Sequence, residues 1–213
     1  MKKKAIVLSA FLALLLSTGQ AFAAVTSKTF SLQANIPAAT GSNITAASVN
    51  ATTGVFTALA PTVTTLSFNT GASVPFNVPN GIYAPNQFFA IDITGSGGAG
   101  NPDVTFTYSG DVKPAGQLSG LGVKATATFV KVTGATGAQT ETVLANGKKR
   151  LIDLTGESVL KTAYSGGFLR VYLGIVTKDP TATPLDPANS EPFTNADQPG
   201  AYSGTLLVSA TVP

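Results

Sequence analysis

Strict alternation of apolar and polar residues recurs along this chain, and an apolar period of three to four residues hardly appears, so its repeating unit must be a strand. In the first clear instance Phe30, Leu32, Ala34 and Ile36 share one face, with Thr29, Ser31, Gln33 and Asn35 on the other. A one-residue slip would bury the polar set, so the pattern dictates which side meets a core. Further rows follow: Leu66 and Phe68; Phe89, Ile91 and Ile93; Val104, Phe106 and Tyr108; Val123, Ala125, Ala127 and Phe129, opposed by Lys124, Thr126 and Thr128. Leu169, Val171, Leu173 and Ile175 are opposed by Phe168, Arg170 and Tyr172, and the last row is Tyr202, Leu206, Val208, Ala210 and Val212.

Between the rows lie turn-forming stretches at residues 75–85, 95–100, 134–137 and 146–147, and a proline-rich segment at 179–199. Fixed φ, a missing N-H or positive φ ends a strand at each. Asn146-Gly147 between Val143-Leu144 and Leu151-Ile152 predicts a tight hairpin. The 179–199 segment is too long for a hairpin and is expected as a surface excursion. Seven to nine strands at this spacing predict an all-β domain, an immunoglobulin-like β-sandwich with a jelly roll as the alternative, and no internal repeat or domain linker is visible.

Residues 1–23 have the pattern of a secretory signal: three lysines, an apolar run, then Ala21-Phe22-Ala23. The run is too short for a membrane-spanning helix, and no later segment approaches one, so no membrane insertion is expected. Cleavage there would remove three of 13 basic residues and none of the ten acidic ones, leaving a formally neutral chain with no reason to bind nucleic acid. With no cysteine, the fold has no disulfide and must rest on packing.

Catalytic chemistry has few candidates. Histidine and cysteine are absent, which excludes Ser-His and Cys-His nucleophiles and thiolate or imidazole metal sites. Carboxylates remain at Asp92, Asp103, Asp111, Glu141, Asp153, Glu157, Asp179, Asp186, Glu191 and Asp197, but spacing pairs no two of them. Asp179, Asp186, Asn189, Glu191, Asn195 and Asp197 do not reproduce a calcium loop with its central glycine. No catalytic residue, metal or cofactor is therefore expected. The glycines at 95–100 precede a strand, so they do not form a phosphate cradle, and Lys148-Lys149-Arg150 is expected as a solvated flank.

The strand containing Phe30, Leu32, Ala34 and Ile36 carries a functional alternative to an ordinary place in its own sheet. An extended segment can add to another chain's sheet, its main chain supplying hydrogen bonds and its alternate side chains filling pockets. The lysine-led leader, the segment Thr29-Phe-Ser-Leu-Gln-Ala-Asn-Ile-Pro37 and the ending Gly200-Ala-Tyr-Ser-Gly-Thr-Leu-Leu-Val-Ser-Ala-Thr-Val212 resemble cysteine-free, colonisation-factor-like pilins of the chaperone-usher pathway.

That resemblance implies a donor-strand extension at 24–37 and, at 38–213, an immunoglobulin-like pilin domain left incomplete until a neighbour's strand fills it. Phe30, Leu32, Ala34 and Ile36 would be the donor residues. Tyr202, Leu206, Val208, Ala210 and Val212 would form the C-terminal strand that borders the groove and pairs with a periplasmic chaperone. The implied partners are further copies of the chain, that chaperone, an outer-membrane usher and a tip adhesin. The implied location is a surface pilus, reached through the periplasm. The chain is longer than a typical shaft subunit of this class and too short for a two-domain adhesin. The alternative is a self-contained secreted sandwich that binds carbohydrate or a host surface through loop-tip aromatics such as Tyr83, Phe88 or Phe193.

Overall fold

The computed structural model describes residues 27–35, 41–71, 73–96, 100–178 and 190–212. The expected leader and Ile36 lie outside them. Thirteen strands are present among the described residues: β1 Lys28–Asn35, β2 Ser42–Asn50, β3 Phe56–Ala58, β4 Thr65–Ser67, β5 Phe76–Asn77, β6 Ile82–Tyr83, β7 Gln87–Gly95, β8 Asp103–Val112, β9 Ala125–Thr133, β10 Thr140–Arg150, β11 Glu157–Val159, β12 Phe168–Ile175 and β13 Gly200–Thr211. A single helical turn, α1 Leu121–Lys124, precedes β9. The strands that neither the alternating rows nor the expected hairpin marked are the two- and three-residue pieces β3, β5, β6 and β11 and the nine-residue β2, whose side chains are mostly half-buried or exposed and so show no clean apolar row.

One sheet has the order β11-β8-β13-β1-β4, the other β10-β9-β12-β7-β2-β3, and β5-β6 is a separate hairpin. The inward rows of the two sheets meet in one apolar core that includes Phe30, Leu66, Phe89, Ile91, Phe106, Phe129, Val171 and Leu206. The chain is thus an all-β sandwich, and the alternating rows face the core as the pattern predicts. Apolar burial near 25 cal/mol per Å² is what stabilises such a cysteine-free fold.

The structure departs from the sequence reading in four places. Asn146-Gly147 is not a hairpin: β10 runs through it as one strand, with a register shift between Val143 and Lys148 where it pairs with β9. Asn146 takes a φ of 55°, and a Cβ on Gly147 would lie 2.8 Å from the carbonyl oxygens of Leu144 and Phe129. The pair forms a bulge. The turn that does join β9 to β10 is at residues 134–137, with Gly134 and Gly137 at φ of 92° and 90°.

Second, the row beginning at Val123 starts in α1, and Val123 is only half-buried. Third, the polar faces of β9 and β12 are not solvated: Lys124, Thr126, Thr128 and Arg170 are all buried. A second apolar cluster of Val49, Ala90, Val130, Val132 and Tyr172 covers the outer side of the six-stranded sheet. Fourth, of the expected surface excursion, Ser190, Pro192, Phe193 and Asp197 turn inward and are buried, Phe193 fully, while Glu191, Asn195, Ala196, Gln198 and Pro199 stay exposed; residues 179–189 lie outside the described residues.

A strand slot between β13 and β4

β1 is an insert with a neighbour on each side. It runs parallel to β13, from Lys28 opposite Gly200 to Asn35 opposite Leu207. It is antiparallel to β4, with Ser31, Leu32 and Gln33 opposite Ser67, Leu66 and Thr65. Beyond that short ladder, the N-H of Phe68 donates to the Phe30 carbonyl (3.0 Å), that of Ala34 to Thr64 (2.8 Å) and that of Val74 to Lys28 (2.8 Å). The chain therefore fills with its own first strand the position that an incomplete sandwich would leave open.

Removing β1 would leave an apolar slot bordered by β13 and β4. Phe30, Leu32 and Ala34 occupy it at 1%, 0% and 3% exposure. Phe30 stacks on Phe193 with ring centroids 4.2 Å apart and lies 5.8 Å from the Tyr202 ring. Opposite Leu32 stands Gly204, where a side chain would strike the hydroxyl of Tyr108. Glycine is thus required for the Tyr108 ring to pass beneath β13.

Of the residues expected on the C-terminal strand, Tyr202, Leu206, Val208 and Ala210 are buried in β13, while Val212 lies past its end and is half-exposed. Only Tyr202 and Leu206 stand in register with β1, against Phe30 and Ala34. Val208 and Ala210 lie beyond the β1 ladder, opposite Phe106 and Val104 of β8.

Residues 190–199 complete one end of the slot, a role the sequence did not suggest. The N-H of Tyr83 donates to the Phe193 carbonyl at 2.8 Å, and Asp197 anchors the segment. Its carboxylate meets the Lys124 ammonium at 2.9 Å, and both side chains are under a tenth exposed. It also accepts from the Gln117 amide and the Thr194 N-H, each at 2.7 Å. Burial alone would raise the Asp197 pKa; the Thr194 N-H, Lys124 and Gln117 outweigh it and hold the carboxyl below its ordinary 3.8. Lys28, the first residue of β1, is fully buried. Its ammonium donates to the main-chain carbonyl of Asp197 at 2.7 Å and sits 4.3 Å from the centroid of the Tyr83 ring.

Several other described carboxylates are engaged elsewhere. Asp92 and Glu141 converge on Arg170 at 2.7 and 2.6 Å on the outer face of the six-stranded sheet. Burial pulls the Arg170 pKa down, but the forked bond to Asp92 leaves it raised. Asp153 pairs with Arg150 at 2.8 Å and Glu157 with Lys149 at 3.0 Å, so the basic run is tied to nearby acids. Among the described residues no three acidic side chains gather as a metal site would require. Of the loop-tip aromatics named for a carbohydrate site, Tyr83 and Phe193 are buried and Phe88 is half-buried. Comparison of the chain with known protein families, with curated proteins and with solved structures finds no match in any of the three.

Proposed function

We propose that this chain is a structural subunit of an adhesive surface pilus, of the chaperone-usher kind, polymerising by strand exchange. The observation that supports the reading is the character of β1. It comes first among the described strands, lies between β13 and β4, and supplies three core side chains. Every contact it makes within its own chain would be made equally by the same strand of a second copy, which is the condition for swapping an element into an open chain of subunits.

Phe30 and Leu32 contribute about 1.5–3 kcal/mol each by leaving water. Because that gain is the same within a chain and between chains, the choice between monomer and fibre rests on association entropy and on the route of assembly. In this reading a periplasmic chaperone fills the slot during export, an outer-membrane usher exchanges it for a neighbour's strand, and a tip adhesin ends the fibre. The immunoglobulin-like character of the body belongs to the same proposal.

The pairing of β1 within its own chain favours a second reading, a self-contained sandwich that binds carbohydrate or a host surface. Tyr83 and Phe193 are unavailable to such a site; Phe56 on β3 and Phe76 on β5, 44% and 36% exposed, are accessible aromatics. Size-exclusion chromatography and negative-stain microscopy of the chain without residues 1–23 separate the readings. Wild type is expected to form ladders or fibres that Leu32→Asp abolishes. A wild type that stays monomeric, even after mild denaturation releases β1, would sink the pilus reading.

A further inference from the structure

We propose that Lys28 is the register key of the slot: a buried ammonium that selects which strand enters and where it stops. The alternating pattern rejects any slip by one residue, because that would bury Thr29, Ser31 and Gln33. It cannot reject a slip by two, which returns apolar side chains to the core. Lys28 breaks that degeneracy, being the one charged residue on the inward face of β1.

The end of the slot is built for that charge. The Asp197 carbonyl accepts from the ammonium at 2.7 Å and the Tyr83 ring faces it at 4.3 Å. If the strand slid two residues one way, Lys28 would take the place of Phe30 against Phe193, losing the Asp197 carbonyl and bringing its charge to a ring whose centroid the Lys124 ammonium already faces at 5.1 Å. If it slid the other way, Phe30 would enter the ammonium pocket, while Leu32 and Ala34 would leave voids where Phe30 and Leu32 now sit. A polar group in an apolar seam, stabilising one register at some cost to stability, is an established device in coiled coils, and the same physics applies here. The strand that fits has the pattern Lys-x-Phe-x-Leu-x-Ala, running parallel to β13.

For the chain's own strand the inference stands on these contacts alone; for a strand from a second copy it rests on the pilus reading above. Because the chain has no cysteine, introduced pairs report register directly. Ser31→Cys would be combined in turn with Ser203→Cys, its partner in the observed register, and with Ala201→Cys or Thr205→Cys, the partners after a slip of two. Each pair would be made with Lys28 and with Lys28→Met, oxidised, and run on a non-reducing gel.

With Lys28 the 31/203 pair should dominate, and in Lys28→Met the slipped pairs should rise about tenfold relative to it, as loss of a charge-specific contact implies. An unchanged ratio overturns the inference. Should Lys28→Met fail to fold, Tyr83→Leu weakens the pocket from the other side; there too a rise in the slipped pairs supports the inference and an unchanged ratio overturns it. The gel also separates the two proposals. Bonds confined to single chains but dependent on Lys28 would sink the pilus reading and leave the register key standing. Ladders of linked chains whose pattern ignores Lys28 would do the reverse.

Discussion

Asp197 is the residue on which one end of the slot depends. Its carboxylate is shared by Lys124, Gln117 and Thr194, and its carbonyl holds Lys28. It also adds its charge to burial in pushing the Tyr202 hydroxyl up to about 12. Because the folded pKa of Asp197 lies below the ordinary 3.8, its contribution is present in full above that value and is lost as pH falls from there through the folded pKa. Melting temperature should therefore hold from neutral pH down to the ordinary carboxylate value and then drop. Asp197→Asn should flatten part of that drop while lowering stability at neutral pH by about 3 kcal/mol, because it leaves Lys124 buried without its counter-charge. Melting curves against pH, run on both proteins, check the sign.

At the scale of elements, β13 shows why an alternating pattern is an incomplete description of a strand. The row Tyr202, Leu206, Val208, Ala210 was legible in the sequence, but the gap at Gly204 carried as much information. The Tyr108 ring fills the space a side chain would need there, and its hydroxyl bonds Asp111 at 2.5 Å. Gly204→Val should force Tyr108 out and destabilise the fold by about 1–3 kcal/mol, as overpacked cores do. Chemical denaturation would measure the loss, and a neutral result would mean that the ring has another place to go. The bulge at Asn146-Gly147 carries the same lesson, because the dipeptide signals positive φ whether the chain reverses or only kinks.

For the whole molecule, the pairing of β1 with β13 joins the two ends of the described chain. Lys28 and Asp197 touch across 169 positions. Closing so long a loop is entropically costly and slow, so the sheet that contains β1 should form late. In pulse-labelled hydrogen exchange during refolding, the amides of β7, β9 and β12 should gain protection before those of β1. Equal rates would show that β1 is docked from the start. A slot that stays open until last is also the state in which another chain's strand could enter, which ties this prediction to the proposed assembly.

Sequence alone determined the all-β class, the inward faces of β1, β7, β8, β9, β12 and β13, and the candidacy of Phe30, Leu32 and Ala34, because period-2 alternation is a local property that burial on one face imposes on neighbouring residues. Tertiary structure decided what no local pattern encodes. Alternation placed Phe168, Arg170 and Tyr172 opposite the inward row and said nothing of what covers them; Arg170 and Tyr172 are buried, Tyr172 within a second apolar cluster on that face. Residues 190–199 looked like a surface excursion because prolines and carboxylates usually signal solvent; a buried Lys124, far away in sequence, reverses that by pairing with Asp197. Lys28 sat on the apolar face of the first strand, and only the carbonyl and the ring that receive it explain how a charge can rest there.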